Sequence, residues 1–252
     1  MNDRVLVAVQ GGVLTATLNR PEKKNAIDDA MIDGLLAMVE RADLDAEVRV
    51  VVVRGAGSDF CAGMDLHELL ASADKSVEEN RAAAMRFGEI FIRMRRLPKP
   101  VVAVVRGRAL AGGCGLATAC DLILAAESAQ FGYPEVQRGF VPALVLNMLK
   151  RTVGEKLAFD LATTGRILDA SEAAAAGLIS RVWEDADFEE QAADVIRSLA
   201  TISSSSLAFT KQHFYRLDGV AFDEGIRVAA EVNAVSRTTP DFRAALTAFV
   251  KK

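Results

Sequence analysis

The chain has 252 residues and a net charge of −4, with about half its residues hydrophobic and a quarter charged. That length bounds it to one large domain or one domain with an appendage, and the balance is that of an ordinary globular protein. With no long basic run, nucleic acid is excluded as a partner, and no apolar run reaches the roughly 18 residues of a membrane span.

Val5 to Val9 and Val13 to Leu18 flank Gly11-Gly12 and read as a β-hairpin, closed by Asn19-Arg20-Pro21 because proline cannot extend the strand. Asp28 is a good N-cap for a helix that carries Met31, Leu35 and Met38 at helical spacing. Arg49 to Arg54 is a third strand. Residues 55–58 are a loop leading to Phe60-Cys61-Ala62-Gly63-Met64-Asp65-Leu66. A long helix, Val77 to Leu97, places Phe87, Ile90, Met94 and Leu97 on one face.

The stretch from Lys99 to Glu135 organises the chain. Val101 to Val105 is a buried strand, followed by a glycine-rich turn ending Ala111-Gly112-Gly113-Cys114-Gly115. Leu116 to Cys120 then reads as a short buried helix and Asp121 to Ala126 as a strand. A glycine turn at a helix start can aim bare N–H groups at a negative ligand atom, and serves equally as a tight turn for close packing. It fits neither dinucleotide nor P-loop spacing: Thr118 stands where the last glycine of G-x-G-x-x-G belongs, and Gly113 where the P-loop lysine belongs. Glu135 follows Phe131, Tyr133 and Pro134. An apolar setting raises a carboxylate's pKa and suits proton transfer, while a carboxylate after proline can also simply cap a helix start.

Pro142 to Val153 and Glu155 to Thr164 read as helices broken by Gly154 and Gly165, Ser171 to Ala176 is alanine-rich, and Leu178 to Trp183 is a brief apolar segment. Everything from Phe188 reads as helical. The division is therefore a βα core over residues 1–190 and a helical region over 191–252 whose apolar stripes have no strands to cover. Cys61, Cys114 and Cys120 form no C-x-x-C pair, which implies reduced thiols and a cytoplasmic setting. His67 and His213 lie far apart and no H-E-x-x-H motif occurs, so no metal site is expected.

Five stretches in order carry a resemblance: Leu18-Asn19-Arg20-Pro21 with Asn25-Ala26; Phe60 to Leu66; Lys99-Pro100-Val101 through Cys114; Cys120-Asp121 with Phe131-Gly132-x-Pro134-Glu135; and Ala173 to Leu178. The chain resembles the crotonase superfamily, the enoyl-CoA hydratase/isomerase family, over essentially its whole length. The resemblance implies an α/β fold, a spiral of ββα units with a C-terminal helical trimerisation region, and a homotrimer or dimer of trimers. It implies an acyl-CoA thioester substrate and no separate cofactor, since coenzyme A is part of the substrate. Carried over by position, the backbone N–H groups of Met64 and Gly112 hold the thioester oxygen and Glu135 is the acid/base. Read without the family, Met64 is an ordinary core methionine, the commoner case for that residue.

Substrate contacts are implied at Lys24, Ala26, Cys61, Ala62, Gly63, Asp65, His67, Gly113, Phe249 and Lys252, and Lys23 occupies a similar place. The chain departs from the family at Gly115, where hydratases commonly carry a first glutamate. Asp121 does not replace it, because it stands where the family has a structural aspartate. Phe140-Val141-Pro142-Ala143 lacks the carboxylate a thioester hydrolase of the family would use. This leaves isomerisation or one-glutamate hydration, with a catalytically idle acyl-CoA-binding or assembly subunit as the alternative.

Overall fold

The structure is a computed structural model that describes residues 3–251. The hairpin forms as expected: β1 (Val5–Gln10) pairs antiparallel with β2 (Val13–Leu18), and Gly11 and Gly12 take φ of +57° and +79° in the turn. β3 (Val50–Gly55), β4 (Val101–Val105), β6 (Leu122–Ala126) and β9 (Arg181–Trp183) add in parallel, giving the order β1-β2-β3-β4-β6-β9. A second sheet, ordered β5-β7-β8, is built from β5 (Arg108–Leu110), β7 (Gln130–Gly132) and β8 (Ile167–Asp169).

The valine runs explain the layering. Successive strand residues face opposite sides, and here both sides are buried, which is why the strands are continuously apolar rather than alternating. Val51, Val53, Val101, Ala103 and Val105 join the main core, together with α1 (Asp29–Leu44), α3 (Val77–Arg96) and α4 (Gly112–Ala119). Val50, Val52, Val102, Val104 and Leu124 form a second core under Phe188 and Ala192 of α8 (Phe188–Thr201).

The Asp28 side chain caps α1 by accepting the Met31 N–H. Ser76 and Glu79 close a reciprocal capping box on α3. Its Phe87, Ile90 and Met94 are buried, as is Leu97 just beyond its end. The remaining helices are α2 (Leu66–Ala71), α5 (Ala143–Val153), α6 (Glu155–Thr164), α7 (Ala170–Ala175), α9 (Ser204–Arg216), α10 (Phe222–Ser236) and α11 (Pro240–Val250).

Three expectations are corrected. The helix after the glycine turn begins at Gly112, not Leu116, so the glycines are its first turn. The three-residue strands β5 and β8 go unread, since three residues are too few to show a period. The helical region does have strands to cover: α8 lies on the six-stranded sheet, and the 190/191 division falls inside it.

α9 is tied to the core as well. The buried Lys211 ammonium donates to the carbonyls of Met94 and Lys99 at 2.8 and 2.9 Å and pairs with Asp121 Oδ2 at 2.7 Å. Tyr215 Oη donates to Asp121 Oδ1 at 2.7 Å, and Asp121 Oδ2 also accepts the Val101 N–H. Asp121 is thus fully used in joining β4, β6 and α9. No helix among the described residues is long and apolar enough to cross a membrane.

Candidate active site

Three backbone segments run side by side. Ala62 N–H donates to Lys24 O, Ile27 N–H to Gly63 O and Asp65 N–H to Ile27 O, so residues 24–27 and 61–65 pair as a short parallel bridge. Cys61 N–H donates to Arg108 O and Leu110 N–H to Cys61 O, which ties the same loop to β5. The Ile27–Met64 bridge uses the N–H groups of Ile27 and Asp65 and leaves that of Met64 facing the other way. Gly112 is the first residue of α4, where an N–H has no acceptor within the helix.

The two loops approach closely. A Cβ built on Gly63, whose φ is +102°, would lie 3.4 Å from Gly112 N and 2.9 Å from the Ala111 Cβ, so only glycine fits between the loops. The Met64 side chain passes over Gly112, its Cγ 3.6 Å from where a Gly112 Cβ would stand. Ala111 itself is left-handed, with φ +50° and ψ −127°, and its N–H donates to Gly132 O at 2.8 Å. Such a backbone state costs on the order of 1–3 kcal/mol and persists only where its surroundings hold it; here it turns β5 sharply into α4.

Beneath the loop lies a buried ion cluster. Arg20 donates to Asp65 Oδ2 at 3.0 Å and to Ala26 O at 2.8 Å, and pairs with Asp28 Oδ2 at 3.2 Å. The backbone hydrogen bonds and the Arg20 bond hold the Asp65 carboxyl low, against the opposing desolvation. Asp65 also caps α2 through the His67 N–H. Asn25 bonds the carbonyls of Ala56 and Asp59 and accepts the Arg20 N–H.

Glu135 lies on a 3₁₀ turn, Pro134–Arg138, that follows β7. Because Gly132 O at the end of β7 holds Ala111, this turn is registered to the donor loop through one hydrogen bond. Glu135 is 8% exposed, amid the fully buried Phe131 and Tyr133, and its Oε2 has no partner among the described residues. Desolvation raises its pKa, outweighing the hydrogen bond from its own backbone and the attraction of Arg138. A solvated cap is therefore not its setting. At Gly115 a Cβ would come 2.1 Å from Val145 Cγ1 and 3.8 Å from Phe91 Cζ, so α5 fills that space with a methyl group.

A family model described as enoyl-CoA hydratase/isomerase matches residues 8–252. The chain belongs to the enoyl-CoA hydratase/isomerase family. A Thermus thermophilus relative is 40% identical over 243 residues, 96% of each chain. The 2,3-dehydroadipyl-CoA hydratase of Escherichia coli is 32% identical over 98% of this chain and 96% of its own. A crystal structure of enoyl-CoA hydratase from Mycobacterium smegmatis superposes with a TM-score of 0.94 at 30% identity, covering 98% of this chain and 96% of that one. The crotonase-like α/β fold with its C-terminal helical region is thus established.

Within this enoyl-CoA hydratase/isomerase chain the residues singled out above separate into groups. Met64, Gly112, Gly63 and Gly113 come together, with Ala62 and Ala26 half-buried alongside. Lys24 and His67 are exposed on the rim of the same loops. The side chains of Cys61 and Asp65 are turned inward and bonded to protein, so neither presents its side chain to a ligand. Phe249 is 79% exposed on α11, whose main packing partner is α9. Lys252 lies outside the described residues. Sequence reading missed Val145, which meets Gly115 across 30 positions and leaves no local signal, and Ala111, whose left-handed state an alanine does not advertise. The role of Arg20 was within reach, because a buried arginine needs carboxylates and Asp28 and Asp65 flank the loop.

Proposed function

We propose that the chain acts on an unsaturated acyl-CoA thioester, with the N–H groups of Met64 and Gly112 holding the thioester oxygen and Glu135 as its only acid/base. Removing a proton beside a thioester carbonyl puts negative charge on that oxygen. Preorganised backbone donors there are worth roughly 3–4 kcal/mol each. Their directions are set by the bridge and by the helix start, so no reorganisation accompanies the charge. Glu135 then takes a proton from one carbon and returns it to another, or activates a single water.

The observation that carries this reading is the Glu135 carboxyl: desolvated, with one oxygen unpartnered, and registered to the donor loop through Gly132 and Ala111. A structural carboxylate in an apolar pocket would be expected to have both oxygens bonded. The apolar Val145 over Gly115 favours proton shuttling between carbons, because water would have only Glu135 to orient it. The hydratase name of the Escherichia coli relative favours water addition. The buried free cysteines Cys61, Cys114 and Cys120 suit a reducing, cytoplasmic setting.

Thioester absorbance followed with crotonyl-CoA and with a 3-enoyl-CoA separates the two chemistries. Loss of absorbance at the conjugated band with crotonyl-CoA marks hydration, and its gain with the 3-enoyl substrate marks isomerisation. If neither substrate turns over and neither exchanges protons with deuterated solvent, the chain is an idle binding or assembly subunit.

A further inference from the structure

The side chain of Cys61 sits between the two loops that carry the proposed donors, and it is fully buried. Its Sγ–H donates to Asn25 O at 3.1 Å, and it accepts the Gly63 N–H at 3.5 Å. On its other side it forms the seat of the glycine turn. A Cβ on Gly113 would lie 2.4 Å from Cys61 O and 2.7 Å from Sγ, and Leu110 N–H donates to Cys61 O at 2.9 Å.

The geometry of a trans peptide gives these contacts a consequence. Gly63 O and Met64 N–H belong to one planar unit and point in opposite directions. Gly63 O is held by Ile27 N–H at 2.8 Å, so Met64 N–H faces away from Ile27. How that plane is rotated depends on the torsions of Gly63, a residue with almost no torsional preference of its own. The Gly63 N–H bond to Sγ fixes the plane before it, and the Ile27 bond fixes the plane after it. Burial pushes the thiol up to about 12, so Cys61 keeps its proton and remains a donor at neutral pH.

We propose that Cys61 is a positioning residue for the reaction: its Sγ fixes the Ala62–Gly63 peptide that leads into the Met64 N–H and packs against Gly113 next to Gly112, so that both N–H groups aim at one thioester oxygen. The proposal rests on the oxyanion reading given above and adds the side chain that sets its geometry. Cys61 touches no substrate.

The test compares Cys61→Ala, which removes donor and acceptor, with Cys61→Ser, which keeps both. Two quantities are read on each purified variant. One is the rate and half-saturation of solvent deuterium exchange into butyryl-CoA. The other is the ¹³C shift of the bound carbonyl of [1-¹³C]butyryl-CoA, which reports hydrogen bonding to the oxygen and does not respond to stability. Misplacing reacting groups by a fraction of an ångström to an ångström costs up to about 100-fold. Cys61→Ala is therefore expected to lose at least about tenfold in saturated rate, with half-saturation nearly unchanged and the carbonyl shift moved toward that of free ligand. Cys61→Ser is expected to restore both.

A folded Cys61→Ala with parent rate and shift overturns the proposal, and so does a Cys61→Ser as impaired as Cys61→Ala. If Cys61→Ala does not fold, Cys61→Ser decides alone: parent rate and shift uphold the role of Sγ, and a folded protein with a tenfold loss overturns it. Gly112→Pro, measured beside them, separates the two levels. If Gly112→Pro keeps the parent rate and shift, the oxyanion reading itself fails. If it loses both while Cys61→Ala loses neither, only the role of Cys61 fails.

Discussion

Helix α4 buries Gly112, Gly113, Cys114, Gly115, Leu116, Ala117 and Ala119, whereas α11 buries none of its residues in this single chain. Both segments are apolar. α4 is enclosed by Cys61, Phe87, Phe91 and Val145. α11 leaves Phe249 and Val250 79% and 75% exposed, and α10 leaves Phe222 82% exposed. The difference teaches that apolar sequence has two uses here. In α4 it packs the start of the helix tightly, as the proposed backbone donors require. In α10 and α11 it stays exposed on the surface of the single chain.

The sharpest way to break the comparison is to remove the proposed base on the buried side. Glu135→Gln keeps shape and burial but cannot accept a proton. General acid–base groups contribute about 10²–10⁴-fold, and with no second carboxylate at Gly115 the loss should lie toward the upper end. Solvent deuterium exchange into the substrate is the measure, with coenzyme A binding retained as the control. Exchange at the parent rate would show that another group is the base.

Much of the buried side was legible before any coordinates. Val101 to Val105 reads as a buried strand and is one, and the order of motifs singled out Met64, Gly112 and Glu135 as site candidates. What stayed hidden has physical reasons. Gly112 and Gly113 look like a turn because glycine is a poor helix former, yet here the burial of their neighbours overrides propensity. Val145 meets Gly115 only through the packing of α4 on α5, and the cover α8 gives the sheet depends on which amphipathic face finds which strand. The inward aim of Cys61 and Asp65 could not be read from a motif that lists them beside Ala62 and Gly63.

The donor loop offers the next break. Gly112→Pro deletes one N–H, and a Cβ at that position meets Phe87 and Met64 at 3.5 and 3.6 Å, ordinary contact distances. Proline is also tolerated at the first helical position. The expected cost is at least about 100-fold in rate, checked by turnover of the enoyl thioester on a variant whose circular dichroism matches the parent. Normal turnover in that folded variant would remove Gly112 from the mechanism.

On the exposed side, we expect a trimer or a dimer of trimers. Phe242, Leu246 and Val250 line an open groove of about 420 Å³ with Arg237 and Arg243 at its edge. Each apolar side chain covered there is worth about 1.5–3 kcal/mol. Light scattering at micromolar concentration should show the assembly, and Leu246→Asp should shift it toward monomer while α4 and the core stay intact. Monomer alone in the parent would contradict the assignment of these helices to assembly.

The smallest effect concerns what burial costs at Glu135. Its folded-state pKa is raised by desolvation, above the ordinary unfolded value of about 4.3. Between those two values the native state holds more protons than the unfolded chain, so stability falls as pH rises through that window. Below the ordinary carboxylate value both states are protonated and the deficit disappears. Glutamine does not titrate. Glu135→Gln should therefore melt higher than the parent at neutral pH, and the gap should close at about pH 4 and below. Paired thermal melts across that range isolate the effect, because every other group titrates alike in both proteins. The parent's exchange rate should climb with pH over the same window in which its stability declines, since the carboxylate that destabilises the fold is the form that accepts the proton. A pH-independent difference in melting would mean that Glu135 titrates normally in the folded protein.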